Sequence, residues 1–174
     1  AAAWRNAGLV LHIAINISGV QFRRDDFAAK LERALKTHGL PAAQLTCEIA
    51  DSVALENTEA TRRAFARLQK LGARIAIGDF TGNDAGLTAL VGLGVHEIKI
   101  SRTIVAALPT DAEAALIVER IVAATRPHGL RVVAEGVENE TQRAHVVRLG
   151  CDDAQGYLFA KPMSARAVAL WAVD

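Results

Sequence analysis

The sequence is poor in cysteine, in aromatic residues, in long apolar runs and in charge of one sign. Its two cysteines, Cys47 and Cys151, lie far apart and outside any CxxC or Cys/His cluster. That spacing indicates neither a metal nor a redox role, and both are expected to be free buried thiols in a reducing cytoplasm. Aromatics make up 5% of the 174 residues, too few for a platform on which single strands stack. Twenty Lys and Arg stand against nineteen Asp and Glu, and the basic residues are scattered, so no duplex-binding face is implied. No apolar run approaches the ~20 residues that cross a bilayer, and no signal-peptide pattern is visible. The histidines lack metal-binding spacing. His12, inside an aliphatic stretch, is expected to sit satisfied in the core, and Arg23 and Arg24 to be solvated surface.

What is present is an alternation. With 51% apolar residues the chain can bury a real core, and it reads as one domain over 1–174. Ala1–Gly8 reads as the end of a helix, with Trp4 packing. Apolar runs then predict strands at Leu9–Ile17, Leu45–Ala50, Arg74–Asp79, His96–Ser101, Arg131–Glu135 and Asp152–Gly156. Helical spacing predicts helices at Asp25–His38, from an Asn57 cap to Leu71, from Asn83 or Asp84 through Ala85–Leu93, and at Asp111–Thr125. Two more follow, one opened by Asn139 with Gln142 in capping-box position and one at Ser164–Ala172. Strict alternation with nearly continuous aliphatic strands implies a parallel sheet covered by helices. A barrel of the TIM type is the expected form, with a doubly wound open sheet as the alternative.

The strands finish, in order, on Asn16, Glu48, Asp79, Lys99, Glu135 and Gln155. Each is a polar residue at the C-terminal end of an otherwise apolar run, where parallel barrels gather their sites. Three carboxylates, two amides and a lysine on one rim suit divalent-metal and phosphate chemistry.

Six collinear segments carry a resemblance. IAINISGVQF is similar to an N-x-S segment, CEIADS to E-I-T-E-S, and GDFTGNDAGL to D-D-F-G-T-G-x-S-S-L. EIKISR is similar to x-I-K-I-D-R, VVAEGVENETQ to A-E-G-V-E-x-x-x-Q, and CDDAQGYLFAKPM to Q-G-Y-x-F-x-x-P. Together they resemble the EAL domains, bacterial phosphodiesterases of cyclic di-GMP. The resemblance implies a modified TIM-type (β/α) barrel, incomplete at its N-terminus because the strand bearing Glu-Ala-Leu is missing. It implies Asn16, Glu48 and Asp79 as metal-ligand positions, and Lys99 and Glu135, the family's catalytic positions, near the scissile phosphate. Glu138 is carried over in the next loop and Gln155 as an orienting amide; Phe80, outside that carry-over, is a candidate ligand contact whose commoner role is packing.

Four departures stand out. The signature glutamate is absent, as is the arginine shortly after it. Gly78 stands where the family has the first aspartate of its pair, which bridges two metals, and Ser101 stands for the aspartate of K-I-D. Asp51, in addition, stands for the second glutamate of E-I-T-E. The expected function is therefore a catalytically degenerate EAL domain acting as a cyclic di-GMP receptor in the cytoplasm, with no metal cofactor. One alternative is an active phosphodiesterase using Mg²⁺ or Mn²⁺; the other is a protein-interaction module without nucleotide. Expected partners are cyclic di-GMP, and a PilZ-type adaptor or other domains of a longer chain, but neither DNA nor membrane. A complete barrel takes ~250 residues; the shorter chain, opening inside a helix, is read as a fragment.

Overall fold

In the computed structural model, residues 1–56, 58–82 and 84–172 are described. Six strands form one sheet: β1 (Ile13–Ile17), β2 (Leu45–Ala50), β3 (Arg74–Phe80), β4 (Glu97–Ile100), β5 (Arg131–Glu135) and β6 (Asp153–Gln155). Every neighbouring pair is parallel, and the spatial order is the sequence order. A doubly wound sheet reverses its order at a switch point; this one never does. It curls instead into a half-barrel. Residues of both edge strands, Ile13 and Ala14 of β1 and Asp153 and Ala154 of β6, line one cavity. Trp4 also donates its indole N–H to the Ala165 carbonyl at 3.0 Å, bringing the first and last helices together.

Helices connect the strands. In chain order they are α1 (Ala2–Asn6), α2 (Gly19–Phe22), α3 (Phe27–Thr37), α4 (Asp51–Ala54), α5 (Glu59–Leu71), α6 (Asp84–Val91), α7 (Arg102–Ala107), α8 (Ala112–Thr125), α9 (Glu140–Arg148) and α10 (Ala165–Trp171). The strands' period of two divides their residues between two faces. Cys47, Ile49, Ile75, Ile77, Ile98, Ile100, Val132 and Ala134 are buried in the main core. The other set, in parallel register, contains Asn16, Glu48, Ala76, Lys99, Val133, Glu135 and Gln155. Charge belongs to the concave face and apolar bulk to the face under the helices.

Several expectations shift. β1 starts at Ile13, not Leu9, because its pairing partner β2 begins only at Leu45. His12 is exposed and borders the lower cavity, so it is no core histidine. The expected Asn57 cap and an Asn83 helix start lie outside the described residues; the Thr58 hydroxyl accepts from the Thr61 N–H and caps α5. The Asn139 cap holds, accepting from the Gln142 N–H. The Gln142 side chain, however, serves the Glu138 N–H at 2.7 Å, so the box closes one residue earlier than expected. Cys47 is fully buried but Cys151 only partly, and burial pushes both thiols up to about 11.

Candidate functional site

At the C-terminal end of the sheet, register alone makes a row. Asn16 stands opposite Glu48, and Glu135 opposite Gln155. Between these pairs lies Lys99, only 5% exposed. Its ammonium is 2.5 Å from Glu48 Oε2 and 2.9 Å from Glu135 Oε1, and Gln155 Nε2 donates to Glu135 Oε1 at 2.7 Å. The lysine is thus inside the half-barrel, where the sequence had implied the rim. Burial works against its charge, but the hydrogen bonds it donates to Glu48 and Glu135 outweigh that and hold its pKa above the ordinary lysine value. Two carboxylates around one ammonium leave the cluster net negative.

Gly78 decides where Glu48 lies. A β-carbon at residue 78 would be 2.9 Å from Glu48 Oε1 and 3.3 Å from its Cγ. The glutamate therefore occupies the volume that a side chain at 78 would need. The next residue, Asp79, is the one described non-glycine with positive φ, at 56°. It sits at an irregularity between Ile77 and Phe80 where β3 slips against β4, and its side chain is exposed. Positive φ is uncommon outside glycine, with aspartate among the tolerant residues. Burial raises the pKa of the nearby Asp51 carboxyl, and Asp79 adds to that rise although a Ser52 backbone N–H opposes it.

The structure thus brings together Asn16, Glu48, Lys99, Glu135 and Gln155. Asp79, near the end of β3, is exposed. Glu138 belongs to an adjoining cleft of about 470 Å³ that it shares with Arg102, Gln155, Tyr157 and Lys161. Phe80 is fully buried in the core, which removes it from the expected ligand surface. Two residues that follow β4 also bear on the site. Ser101, beyond the end of β4, is buried with its hydroxyl unpartnered. Arg102 holds Glu138 at 2.7 Å, and its place directly after the K-I-S segment was the available signal.

A family profile described as "EAL domain" matches residues 1–162. The chain belongs to the EAL domain family. It is 36% identical over 154 residues to the bifunctional diguanylate cyclase/cyclic di-GMP phosphodiesterase MucR of Pseudomonas aeruginosa, covering 88% of this chain and 22% of that protein. It is 32% identical over 163 residues to the signaling protein YkoW of Bacillus subtilis, covering 94% and 20%. Among solved structures, the PaMucR phosphodiesterase in complex with c-di-GMP superposes with a TM-score of 0.90 at 34% identity, over 96% of this chain and 68% of that one. The EAL domain of Mycobacterium smegmatis DcpA gives 0.88 at 35%, over 99% and 78%. This EAL domain spans about a fifth of those curated relatives. EAL phosphodiesterases in general use divalent metal ions. No described helix is long and apolar enough to cross a membrane.

Proposed function

We propose that this EAL domain binds cyclic di-GMP as a receptor and does not hydrolyse it. The observation that carries this is the Gly78–Glu48–Lys99 arrangement. Two-metal catalysis needs an anionic group shared between cations roughly 3.5–4 Å apart. Residue 78, where the family places that group, has no side chain, and Glu48 leans into its space to pair with Lys99. Ser101 supplies a hydroxyl in place of a second carboxylate. The remaining oxygen donors do not fit a two-metal centre, so no hydrolytic step is assigned to them.

Nucleotide binding is supported separately, by the close likeness to a structure solved with c-di-GMP. Lys99 offsets one of the two carboxylate charges of Glu48 and Glu135, so the row repels phosphate less than the bare pair would. Arg102 and Lys161 bring positive charge to the adjoining cleft, and the exposed Asp79 can accept hydrogen bonds from guanine N–H groups. The domain is read as a single unit over 1–174, working in the cytoplasm.

One observation favours the phosphodiesterase alternative: Asn16 and Glu48 still stand side by side, enough to start a single cation site with Mg²⁺ or Mn²⁺. Calorimetry with cyclic di-GMP, in EDTA and then in excess Mg²⁺ or Mn²⁺, separates the readings. Equal affinity in both and no linear dinucleotide is the expected result. Turnover at roughly 1 s⁻¹ or faster would overturn it in favour of the enzyme, and silence would leave a module that docks a protein such as a PilZ-type adaptor.

A further inference from the structure

Beside the carboxylate–lysine row, the mouth holds a second constrained contact, made by Arg102, the first residue of α7. Its guanidinium Nη2 lies 2.7 Å from Glu138 Oε1. To reach it the side chain crosses Gly136, where a β-carbon would sit 2.3 Å from Arg102 Cγ and 2.9 Å from its Cβ. Gly136 also takes φ 71°, so side chains are disfavoured there on two counts. The far side of the same loop is equally tight. A β-carbon at Gly156 would lie 2.1 Å from the Val137 carbonyl oxygen, and Val137 donates to Gln155 O and accepts from the Leu158 N–H, each at 3.0 Å. The buried Gln142 side chain then fixes the Glu138 N–H from behind.

An ion pair with side chains 70% and 43% exposed contributes little to stability. A glycine that clears the arginine's path and a loop clamped on its other sides make more sense for a group whose location matters. We propose that Arg102 is a positioning residue: it holds Glu138 against the wall of the nucleotide cleft, so that this carboxylate meets ligand already ordered. This rests on the cyclic di-GMP reading. Glu138 sits on a loop among exposed groups, and fixing it before binding removes the ordering it would otherwise undergo on association.

The test has a ligand-free arm and a ligand arm. In the free protein, R102A should lower backbone order parameters at residues 136–138 from about 0.85 to below about 0.6. R102K should restore part of that order, and the melting temperature should barely move. G136A keeps both charges but obstructs the crossing, and should loosen the same loop. With cyclic di-GMP, R102A should weaken binding five- to tenfold, while adding R102A to E138A should change affinity less than twofold. An unchanged loop in R102A would overturn the proposal. So would a full five- to tenfold loss in the E138A background, because Arg102 would then touch the ligand itself. If the loop loosens but no form binds cyclic di-GMP, the positioning role stands and the receptor reading falls.

Discussion

Lys99 is the residue on which most depends, and its role is set by what surrounds it. Replacing it with Met keeps the volume but leaves Glu48 and Glu135 facing each other, partly buried and unpaired. Breaking a buried ion pair from one side costs about 3–5 kcal/mol, and K99M should lose that much in urea unfolding at pH 7.5. In the wild type, Lys99's raised pKa gives a contribution present throughout the neutral range, lost only as pH climbs past the ordinary lysine value of about 10.4. His96 runs the other way. Its Nδ1 accepts the Ile75 N–H at 3.2 Å; burial, then Arg74, lower its pKa, with Glu97 opposing. The unfolded chain therefore binds this proton first, so stability should fall as pH drops through about 6.5. H96N, whose side-chain oxygen can accept the same N–H, should flatten that part of the pH profile; an unchanged slope would show that other groups set it.

Elements long enough to show a period were legible, and those too short were not. α5 and α8 announce themselves through apolar residues on one face, and their ends fell within a residue or two of expectation. α2, α4 and α7 each span only four to six residues, less than two turns, and no periodicity marks them. They matter because they reset the chain after β1, β2 and β4. The β5–α9 loop was legible as a motif but not as a packing unit, since Gly156's role depends on Val137, nineteen residues earlier. G156A makes the point testable. Its methyl would have to displace the Val137 backbone, which cannot yield as a flexible side chain would. Overpacking of this sort costs typically 1–3 kcal/mol, and thermal unfolding should show that loss together with weaker cyclic di-GMP binding. A stable variant with undiminished binding would mean that the loop tolerates displacement.

At the scale of the molecule, a half-barrel leaves β1 and β6 without strand partners on their outer sides among the described residues. The row Asn16, Glu48, Lys99, Glu135 and Gln155 was legible, because every strand of a parallel barrel delivers its last polar residue to one rim. The pairing inside the row was not, since only the fold shows that Gly78 lets Glu48 lean across to Lys99. That pairing bears on the whole domain's response to ligand. A dinucleotide bridging the mouth would link elements from both edges of the sheet, so its binding energy should appear as global stability. At a free concentration of 100 Kd, a ligand that binds only the folded form adds about 2.7 kcal/mol. For a chain of this size each kcal/mol moves Tm by about 2–4 °C, so cyclic di-GMP should raise Tm by roughly 5–11 °C. If Lys99 serves where the family uses cations, the rise should be the same in EDTA as in excess Mg²⁺. Each tenfold loss of affinity on chelation removes about 1.4 kcal/mol, some 3–6 °C. A fall of that size in EDTA would mean that Asn16 and Glu48 hold a metal after all, with Lys99 displaced from Glu48 to make room for it.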